Sequence, residues 1–344
     1  MSIINHALAE SFFSQGEEFR TLFRQLETRT HVHAYLITGE KGTGKRTLAR
    51  AMCASLLCSS EESRPCGICR NCLLVEKSEH PDVILIDQNG TASSASRKER
   101  STIPVNDIRE MIRLSGTRSP EGNTKVALIF DADRMTPQAQ NCLLKTLEEP
   151  VSDLCMILVT DHIESILSTV ISRCRIIRMK AWSNDYLFSV LKREGVSGDM
   201  ASRAVSEANG SIGEALRLSS DDAYWAEREE LLESFFRASA RSDILAFSNR
   251  WKDHKADSDQ LLSILESLIL RLYEARFNPE KNLDLSEFPE KWQRFSRFAS
   301  VGQFAALSEA VSDARKQLQF STNFQAVLEK LLFIFMGEGN KWLQ

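Results

Sequence analysis

A short segment near the N-terminus restricts the fold of this 344-residue chain more than any other feature. Its loop contains Gly39, Gly42, Gly44 and Lys45, and it matches the phosphate-binding pattern G-x-x-x-x-G-K-[ST] except at the last position. An apolar run at residues 33–38 precedes the loop, and apolar residues at helical spacing follow it. Because strand, glycine loop and helix come in the required order, the segment predicts a phosphate-loop fold rather than a chance glycine turn.

Arg46 occupies the position at which this pattern requires a Ser or Thr hydroxyl to ligate magnesium. Thr47 cannot simply replace that hydroxyl, because it lies one residue further along a helix, about 100° around the axis. The glycines and Lys45 are retained. Two alternatives therefore stay open, namely weak binding of ATP or ADP without turnover and no nucleotide binding at all.

A second nucleotide motif is also incomplete. In this motif an apolar strand ends in an aspartate that supports magnesium, and a glutamate that polarises the attacking water follows. Asp131 is in place, but Ala132 stands at the glutamate position, and a methyl group cannot accept a proton. Asp133 could compensate only in a shifted loop. Thr160, at the end of a later strand, fits a phosphate sensor and an ordinary strand-end threonine equally well.

Further strand-like runs alternate with helical patterns along the first half of the chain. This alternation predicts an α/β fold, a doubly wound parallel sheet flanked by helices that covers residues 1–180. The predicted strands after the first are residues 83–87, 126–131, 154–160 and 175–179.

The pattern is wholly helical from residue 183 onward. We predict a helical lid at residues 181–220 and a further all-helical domain at residues 221–344. The helical runs 261–273 and 324–335 are apolar around much of their circumference and must be buried on several sides. A monomeric bundle core and packing against neighbouring subunits both account for this.

Four cysteines, Cys58, Cys66, Cys69 and Cys72, form the pattern C-x7-C-x2-C-x2-C. This spacing places four thiolates within reach of one tetrahedral Zn²⁺. Ligation by four sulfurs leaves no position for water, so the predicted zinc module at residues 58–72 is structural rather than catalytic. Disulfide pairing is the alternative, and a reducing compartment disfavours it.

Charge and composition limit the partners. The chain has 43 basic and 47 acidic residues and a formal charge of −4, which provides no global attraction to nucleic acid or to an anionic membrane. No apolar run approaches the roughly 20 residues that span a bilayer, and no secretory signal is evident, so we expect a cytoplasmic protein without membrane contact. Residues 88–101 read as a mobile surface loop, in which DNA contact through Arg97, Lys98 and Arg100 is less expected than solvation.

Arg173 precedes the last predicted strand, within the run 169–174. A guanidinium at this place can be a surface ion-pair partner. It can also reach across a subunit interface to a neighbour's γ-phosphate, where one arginine greatly accelerates hydrolysis. The residues alone leave both alternatives open.

Together these motifs resemble the bacterial clamp-loader family of AAA+ proteins over about residues 15–218. The segments that carry the resemblance are residues 33–36, the glycine loop, the four cysteines, and residues 80–82, 141–150 and 172–174. The resemblance implies that residues 1–180 form an AAA+ nucleotide-binding-like domain and residues 221–344 a collar and oligomerisation domain. It also implies a role in DNA replication within a hetero-oligomeric, ring-like pentamer. That assembly opens a sliding clamp and places it on primed DNA.

The family includes ATP-hydrolysing gamma/tau motors and a stator that carries the same zinc module. Arg46, Ala132 and Gly213, the last at a position where motors place a sensor arginine, favour the stator with its own ATPase absent or weak. The resemblance then implies gamma/tau and delta subunits as partners, with Arg173 as an arginine finger in trans. An active gamma/tau-like motor or helicase loader, and a scaffold unrelated to replication, are the alternatives.

Overall fold

The structure is a computed structural model that describes residues 4–87, 90–91, 100–117, 119, 124–150, 153–252, 258–281, 283–319 and 323–340. The chain divides into two units, Met1–Ser219 and Ser220–Gln344. Arg97 and Lys98, weighed above as DNA contacts, lie outside the described residues. Arg100 is described, and its guanidinium lies 3.2 Å from Oδ2 of Asp107.

The first unit contains a six-stranded sheet. Its strands are β1 Ala34–Thr38, β2 Val83–Asp87, β3 Gly90–Thr91, β4 Lys125–Ile129, β5 Leu154–Thr160 and β6 Arg175–Arg178. They are ordered β3-β2-β4-β5-β1-β6, and all neighbours run parallel except the short edge strand β3, which is antiparallel to β2. The predicted parallel sheet is confirmed. A two-residue edge strand offers no alternation to detect, and the sequence did not predict β3.

Helices surround this sheet. They are α1 His6–Ser11, α2 Glu17–Glu27, α3 Lys45–Leu57, α4 Arg70–Glu76, α5 Val105–Ser115, α6 Pro137–Glu148, α7 Ser168–Ile171, α8 Asn184–Arg193, α9 Gly198–Glu207 and α10 Ile212–Leu218. The start of α6 follows its sequence signal, because Thr136 Oγ1 accepts a hydrogen bond from Ala139 N at 3.2 Å and Pro137 takes the first helical position. The predicted lid helices α8 to α10 fall within the first unit.

The sheet is buried on both faces, as a parallel sheet requires. Ile86 and Ile129 pack in one apolar cluster with Met111 of α5 and Leu143 of α6. Strand side chains alternate between faces, so Leu85, which lies between Ile84 and Ile86 of this cluster, points to the opposite side of the sheet. The strands β1 and β5 are buried along their whole length. The central strands are thus rigidly placed, and their carboxyl ends meet at one edge.

The second unit consists of helices, as predicted for residues 221–344. They are α11 Asp222–Ser234, α12 Arg241–Trp251, α13 Ser258–Phe277, α14 Glu290–Phe298, α15 Val301–Gln319 and α16 Phe324–Asn340. Aromatic side chains form much of the core. The ring of Phe236 lies 5.0 Å from that of Trp292 and 6.0 Å from that of Phe335, edge to face in both pairs. The indole Nε1 of Trp292 donates to Phe236 O at 2.9 Å, so its polar group is satisfied within the core.

The two helices expected to be buried on several sides behave accordingly. Leu261, Leu265, Leu268 and Leu272 of α13 are all almost fully buried. Apolar residues also remain at the surface of this unit, including Phe333 of α16 at 59% exposure. Among the described residues, no helix combines the length and the apolar character needed to cross a membrane.

Candidate functional site

The phosphate-binding loop follows β1, which lies between β5 and β6 at the carboxyl edge of the sheet. Gly39 has a φ of 149° and Gly42 a φ of 78°, both in the region that favours glycine. A Cβ on Gly39 would lie 2.4 Å from Met179 O, and a Cβ on Gly42 would lie 2.1 Å from Ser211 Oγ. Glycine is therefore required at both positions by backbone conformation and by the close approach of neighbouring atoms.

Lys45 is directed back into its own loop. Its Nζ lies 2.7 Å from Gly39 O, 2.5 Å from Glu40 O and 2.7 Å from Oδ1 of Asp161. The side chain is only 4% exposed. An ammonium group has three N–H donors, and these three acceptors satisfy them all. A phosphate could recruit Lys45 only by displacing contacts that the buried ammonium already makes.

Arg46 binds the aspartate of the second motif. Its NH2 nitrogen lies 2.7 Å from Oδ1 and 2.6 Å from Oδ2 of Asp131. The guanidinium also lies over the ring of Phe130, 5.2 Å from the ring centroid. The carboxylate expected to support magnesium is thus neutralised by a cation of its own chain. Arg46 therefore interrupts the first motif and also binds the carboxylate of the second motif, Asp131.

The other polar groups of this edge bond to one another. Thr160 Oγ1 donates to Asp133 Oδ1 at 2.9 Å, and Asp161 N approaches the same oxygen at 3.4 Å. Ala132 is fully buried in a short 3-10 helix, Ala132–Arg134, so the structure provides no carboxylate at that position. Thr47 is half-buried in the first turn of α3, and its hydroxyl makes no hydrogen bond to the described residues.

The beginning of α10 lies directly on the phosphate-binding loop. Gly213 N donates to Gly42 O at 3.0 Å, and Ser211 Oγ caps the helix by accepting from Glu214 N at 3.1 Å. The indole Nε1 of Trp182 donates to Thr43 O at 2.8 Å. A Cβ on Gly213 would lie 3.4 Å from Gly42 Cα, so the helix and the loop are in contact. These bonds attach the start of α10 and Trp182 to carbonyl oxygens of the loop.

Aromatic side chains pack beside the loop. Phe12 and Trp182 are 3% and 5% exposed, with ring centroids 6.0 Å apart, and Tyr186 stacks on Trp182 at 4.2 Å. A Cβ on Gly44 would lie 4.0 Å from Phe12, which places this aromatic cluster against the loop itself. The space beside the loop is therefore apolar and occupied by the chain's own rings.

The four predicted metal ligands come together between α3 and α4. The Sγ atoms of Cys58, Cys66, Cys69 and Cys72 all lie within 4.8 Å of one another, and all four cysteines are free. Zinc bound to four sulfurs at about 2.3 Å requires sulfurs about 3.8 Å apart, so the cluster fits one ion. The N–H groups of Cys69 and Cys72 donate to the Sγ atoms of Cys66 and Cys69, each at 3.4 Å, which stabilises thiolates.

The thiols differ sharply in acidity. A hydrogen bond from Cys72, aided by backbone N–H groups and opposed by burial, lowers the pKa of Cys58 to about 4. The same bond raises the pKa of Cys72. Burial raises the pKa of both Cys155 and Cys174 to about 12. Those two residues stay protonated and behave as small apolar side chains.

Arg173 lies apart from the loop, just before β6. Its NH2 nitrogen is 2.5 Å from Glu148 Oε1 at the end of α6, and its NH1 nitrogen donates to Thr169 O at 2.9 Å. The side chain remains 34% exposed. The alternative of an ion pair within the chain is thus realised. The pair also holds the guanidinium at the surface in a fixed position.

The sequence patterns located most of this edge but missed the residues that occupy it. The loop glycines, Lys45, Asp131 and Thr160 converge at the carboxyl ends of the central strands, as their order implied. Asp161, Ser211 and Trp182 were not predicted as site residues. Asp161 carried a detectable signal, because it directly follows a strand end. Ser211 gave only a helix-start signal, which says nothing about its contact with Gly42.

Two family models match the chain. The family described as "DNA polymerase III, delta subunit" matches residues 14–183, and "DNA polymerase III, delta subunit, C terminal" matches residues 222–336. Together they cover both units. The match therefore includes the collar region, for which the sequence patterns offered helical character alone.

Individual relatives agree. The chain is 27% identical over 330 residues to the DNA polymerase III subunit delta-prime of Bacillus subtilis, covering 94% of this chain and 97% of that protein. It is 32% identical to the Escherichia coli delta-prime subunit over 63% of each chain. A DNA polymerase III gamma subunit of Buchnera aphidicola is 34% identical over 54% of this chain and 50% of its own length. With a full-length delta-prime relative and both family models matched, the chain belongs to the DNA polymerase III delta-prime subunit family.

Proposed function

We propose that this chain is the stator of a bacterial DNA polymerase III clamp loader, which helps to place a sliding clamp on primed DNA without hydrolysing ATP itself. The observation that carries this proposal is the bond between Arg46 and Asp131. A motor needs a free carboxylate at Asp131 to support magnesium. Here the carboxylate is held by a guanidinium that replaces the magnesium-binding hydroxyl of the other motif.

Two further features support the absence of turnover. Ala132 is buried where a motor has its catalytic glutamate, and its methyl group cannot polarise water. Gly213 stands where motors have a sensor arginine, and it contacts Gly42 instead. Loss of one such group slows hydrolysis, and loss of metal support, base and sensor together removes each contribution to transition-state stabilisation.

Nucleotide binding should be weak or absent as well. The buried ammonium of Lys45 is already held by two loop carbonyls and by Asp161. Binding of ATP or ADP through Lys45 would require it to leave Asp161. That change costs free energy before any contact with phosphate is gained.

Zinc is the metal that best fits the cysteine cluster. Cys58, Cys66, Cys69 and Cys72 would hold it, and its contribution would be to fold and stiffen the segment between α3 and α4. A hard cation such as magnesium prefers oxygen ligands, which this cluster does not provide. The two remaining half-buried cysteines, Cys142 and Cys174, are no part of the cluster.

The partners we propose are the gamma/tau and delta subunits, and through them the clamp and primed DNA in a pentameric ring. Arg173 would reach the ATP of an adjacent gamma/tau subunit as an arginine finger. Its fixed, partly exposed guanidinium near the end of α6 supports this role. An arginine positioned in advance loses less entropy when it meets a phosphate.

An active motor is the second candidate, favoured by the 34% identity to a gamma subunit. The purified chain separates the two candidates in a steady-state ATPase assay with and without DNA. We expect no turnover above background, and clamp loading by a complex reconstituted with gamma/tau and delta subunits. Turnover that disappears in Lys45→Ala would assign the chain to the motors, and failure to enter the complex would remove it from the loader.

A further inference from the structure

A cleft of about 720 Å³ opens in the second unit between the end of α13 and the helix α14. Arg276 and Ala275 line it from α13, and Gln293 and Arg297 line it from α14. Its volume lies within the range of pockets that hold small ligands or short peptides. Neither the nucleotide-loop edge nor the cysteine cluster, both in the first unit, accounts for it.

Two guanidinium groups of this cleft form no ion pair with a described carboxylate, and that of Arg276 lies 5.7 Å from the centroid of the Phe277 ring. Arg276 and Arg297 are both exposed, and no carboxylate of the described residues lies within 4.0 Å of either. Nearby arginines outside the lining are paired: Arg271 lies 3.0 Å from Glu287, and Arg294 lies 2.5 Å from Glu290. The two unpaired arginines therefore distinguish the cleft from its surroundings, and they favour a ligand that carries carboxylates.

The cleft also contains one acidic group. Asp284 accepts hydrogen bonds from Ser286 N and Ser286 Oγ, each at 2.9 Å. The backbone N–H of Ser286, followed by its hydroxyl, lowers the pKa of Asp284, so this carboxylate stays ionised. A fixed negative charge among the cationic groups disfavours a dense polyanion such as nucleic acid. A peptide can avoid Asp284, because its negative charges are spaced along a neutral backbone.

Apolar surface and a side-chain acceptor complete the site. Pro279, Leu283 and Leu285 line the cleft together with Ala275. Gln293 Nε2 donates to Phe288 O at 2.8 Å, and no described residue donates to its Oε1, which is left to accept an N–H. Phe298, next to Arg297 in sequence, is 66% exposed and extends the apolar surface at the end of α14. Apolar side chains beside unpaired arginines match a peptide in which acidic and apolar residues alternate.

We propose that this cleft binds an extended peptide segment of a partner protein that places carboxylates on Arg276 and Arg297 and apolar side chains on Leu283 and Leu285. Its acidic residues form ion pairs with the two guanidinium groups, and one backbone N–H donates to Gln293. The alternation of an extended strand sends successive side chains to opposite sides, so one face of the peptide meets the arginines and the other meets the leucines.

Fluorescence anisotropy on the full chain tests the proposal. The probes are fluorescein-labelled hexapeptides that contain aspartate in alternation with leucine or phenylalanine, in all registers. We expect saturable binding by at least one of them, weakened about fivefold by Arg276→Ala or Arg297→Ala and at least about tenfold by Arg276→Glu combined with Arg297→Glu. The Arg294→Glu variant, on the same helix but outside the lining, is the matched control and should bind as the unmodified chain does.

Two further peptides separate charge from apolar contact. One replaces aspartate by lysine, and the other replaces the apolar residues by serine; both should bind at least about tenfold more weakly. The proposal is overturned if no acidic and apolar peptide binds saturably up to about 1 mM, or if the double charge reversal leaves binding unchanged. Tighter, Arg297-dependent binding of an oligothymidylate would assign the cleft to nucleic acid instead. None of these results depends on ATP hydrolysis, so they stand apart from the stator proposal.

Discussion

The guanidinium of Arg46 and the carboxylate of Asp131 form an ion pair in which one nitrogen lies 2.7 and 2.6 Å from the two oxygens. Arg46 is 55% exposed and Asp131 is 21% exposed. The pair joins the two nucleotide motifs. Arg46 replaces the hydroxyl that would ligate magnesium, and its guanidinium binds the Asp131 carboxylate that would support the same ion. The site is therefore filled by its own side chains rather than merely incomplete.

Removing this pair should affect stability and not activate hydrolysis. We expect Arg46→Ala to lower the free energy of unfolding by about 1 kcal/mol, since a partly exposed ion pair is discounted by solvent screening. Urea unfolding measures the change. Arg50→Ala is the matched control, because Arg50 also lies over Phe130, at 5.8 Å, but forms no ion pair with a described carboxylate. In a double-mutant cycle with Asp131→Asn, most of the unfolding free energy lost in Arg46→Ala should appear as coupling energy between the two residues. Additive effects of the two substitutions would contradict the ion pair.

Lys45 should act in this chain as a structural residue. In Lys45→Met, two loop carbonyls and Asp161 lose their donor, and we expect a loss of about 1 to 3 kcal/mol in unfolding free energy, discounted because Asp161 is 36% exposed. Denaturant titration provides the measurement. Lys41→Met, at an exposed position of the same loop, should be close to neutral. A stable Lys45→Met that abolishes a measurable ATPase would instead show that Lys45 serves catalysis.

The contact between the loop and α10 predicts strong sensitivity at Gly42. Gly42→Ala adds a Cβ 2.1 Å from Ser211 Oγ at a φ of 78°, and we expect destabilisation by about 2 to 3 kcal/mol. Amide hydrogen exchange should then report faster exchange in α10. Gly198→Ala, where a Cβ meets no atom within 4 Å and φ is not positive, should be neutral or slightly stabilising. Unchanged exchange in α10 would argue that the contact does not hold the helix.

The cysteine cluster should bind about one zinc per chain. We expect Cys69→Ser to lose that zinc and to lower the melting temperature by several degrees, because metal binding and local folding are coupled. Elemental analysis and thermal unfolding are the measurements, with Cys142→Ser, outside the cluster, as the control. Full metal content in Cys69→Ser, or none in the unmodified chain, would exclude the four-sulfur site.

The features that the sequence predicted are local in the chain, and those that it missed are contacts between distant segments. Gly39 to Lys45, the strand ending before Asp131 and the four cysteines are local patterns, and local patterns predicted the fold, the family and the sulfur cluster. The contacts of Gly42 with Ser211 and of Lys45 with Asp161 join segments far apart in the chain. Such contacts are decided by packing, for which a single sequence carries no periodic signal. The roles of the site residues and the division of residues 1–219 into domain and lid remain predictions.

Arg173 gives the sharpest test of the stator proposal. In a reconstituted loader we expect Arg173→Ala to leave assembly intact and to lower DNA-stimulated hydrolysis, because an arginine finger contributes about 10³-fold or more at the one site that it completes. In a steady-state assay this loss is limited to that site's share of the total. Glu148 positions the guanidinium, so Glu148→Gln should cause a smaller loss and should also leave assembly intact.

The control for Arg173 is a matched pair elsewhere on the surface. Arg113 lies 2.7 Å from Glu110 on α5, in a surface ion pair whose side chains are 65% and 40% exposed, and Arg113→Ala should leave hydrolysis unchanged. Arg173→Lys separates the two roles, since a lysine keeps the charge and an ion pair with Glu148 but cannot offer the planar, two-pronged contact that a phosphate receives from arginine. Full activity in Arg173→Lys and Arg173→Ala would leave Arg173 as a surface ion-pair partner of Glu148 and assign the neighbour's activation to another residue.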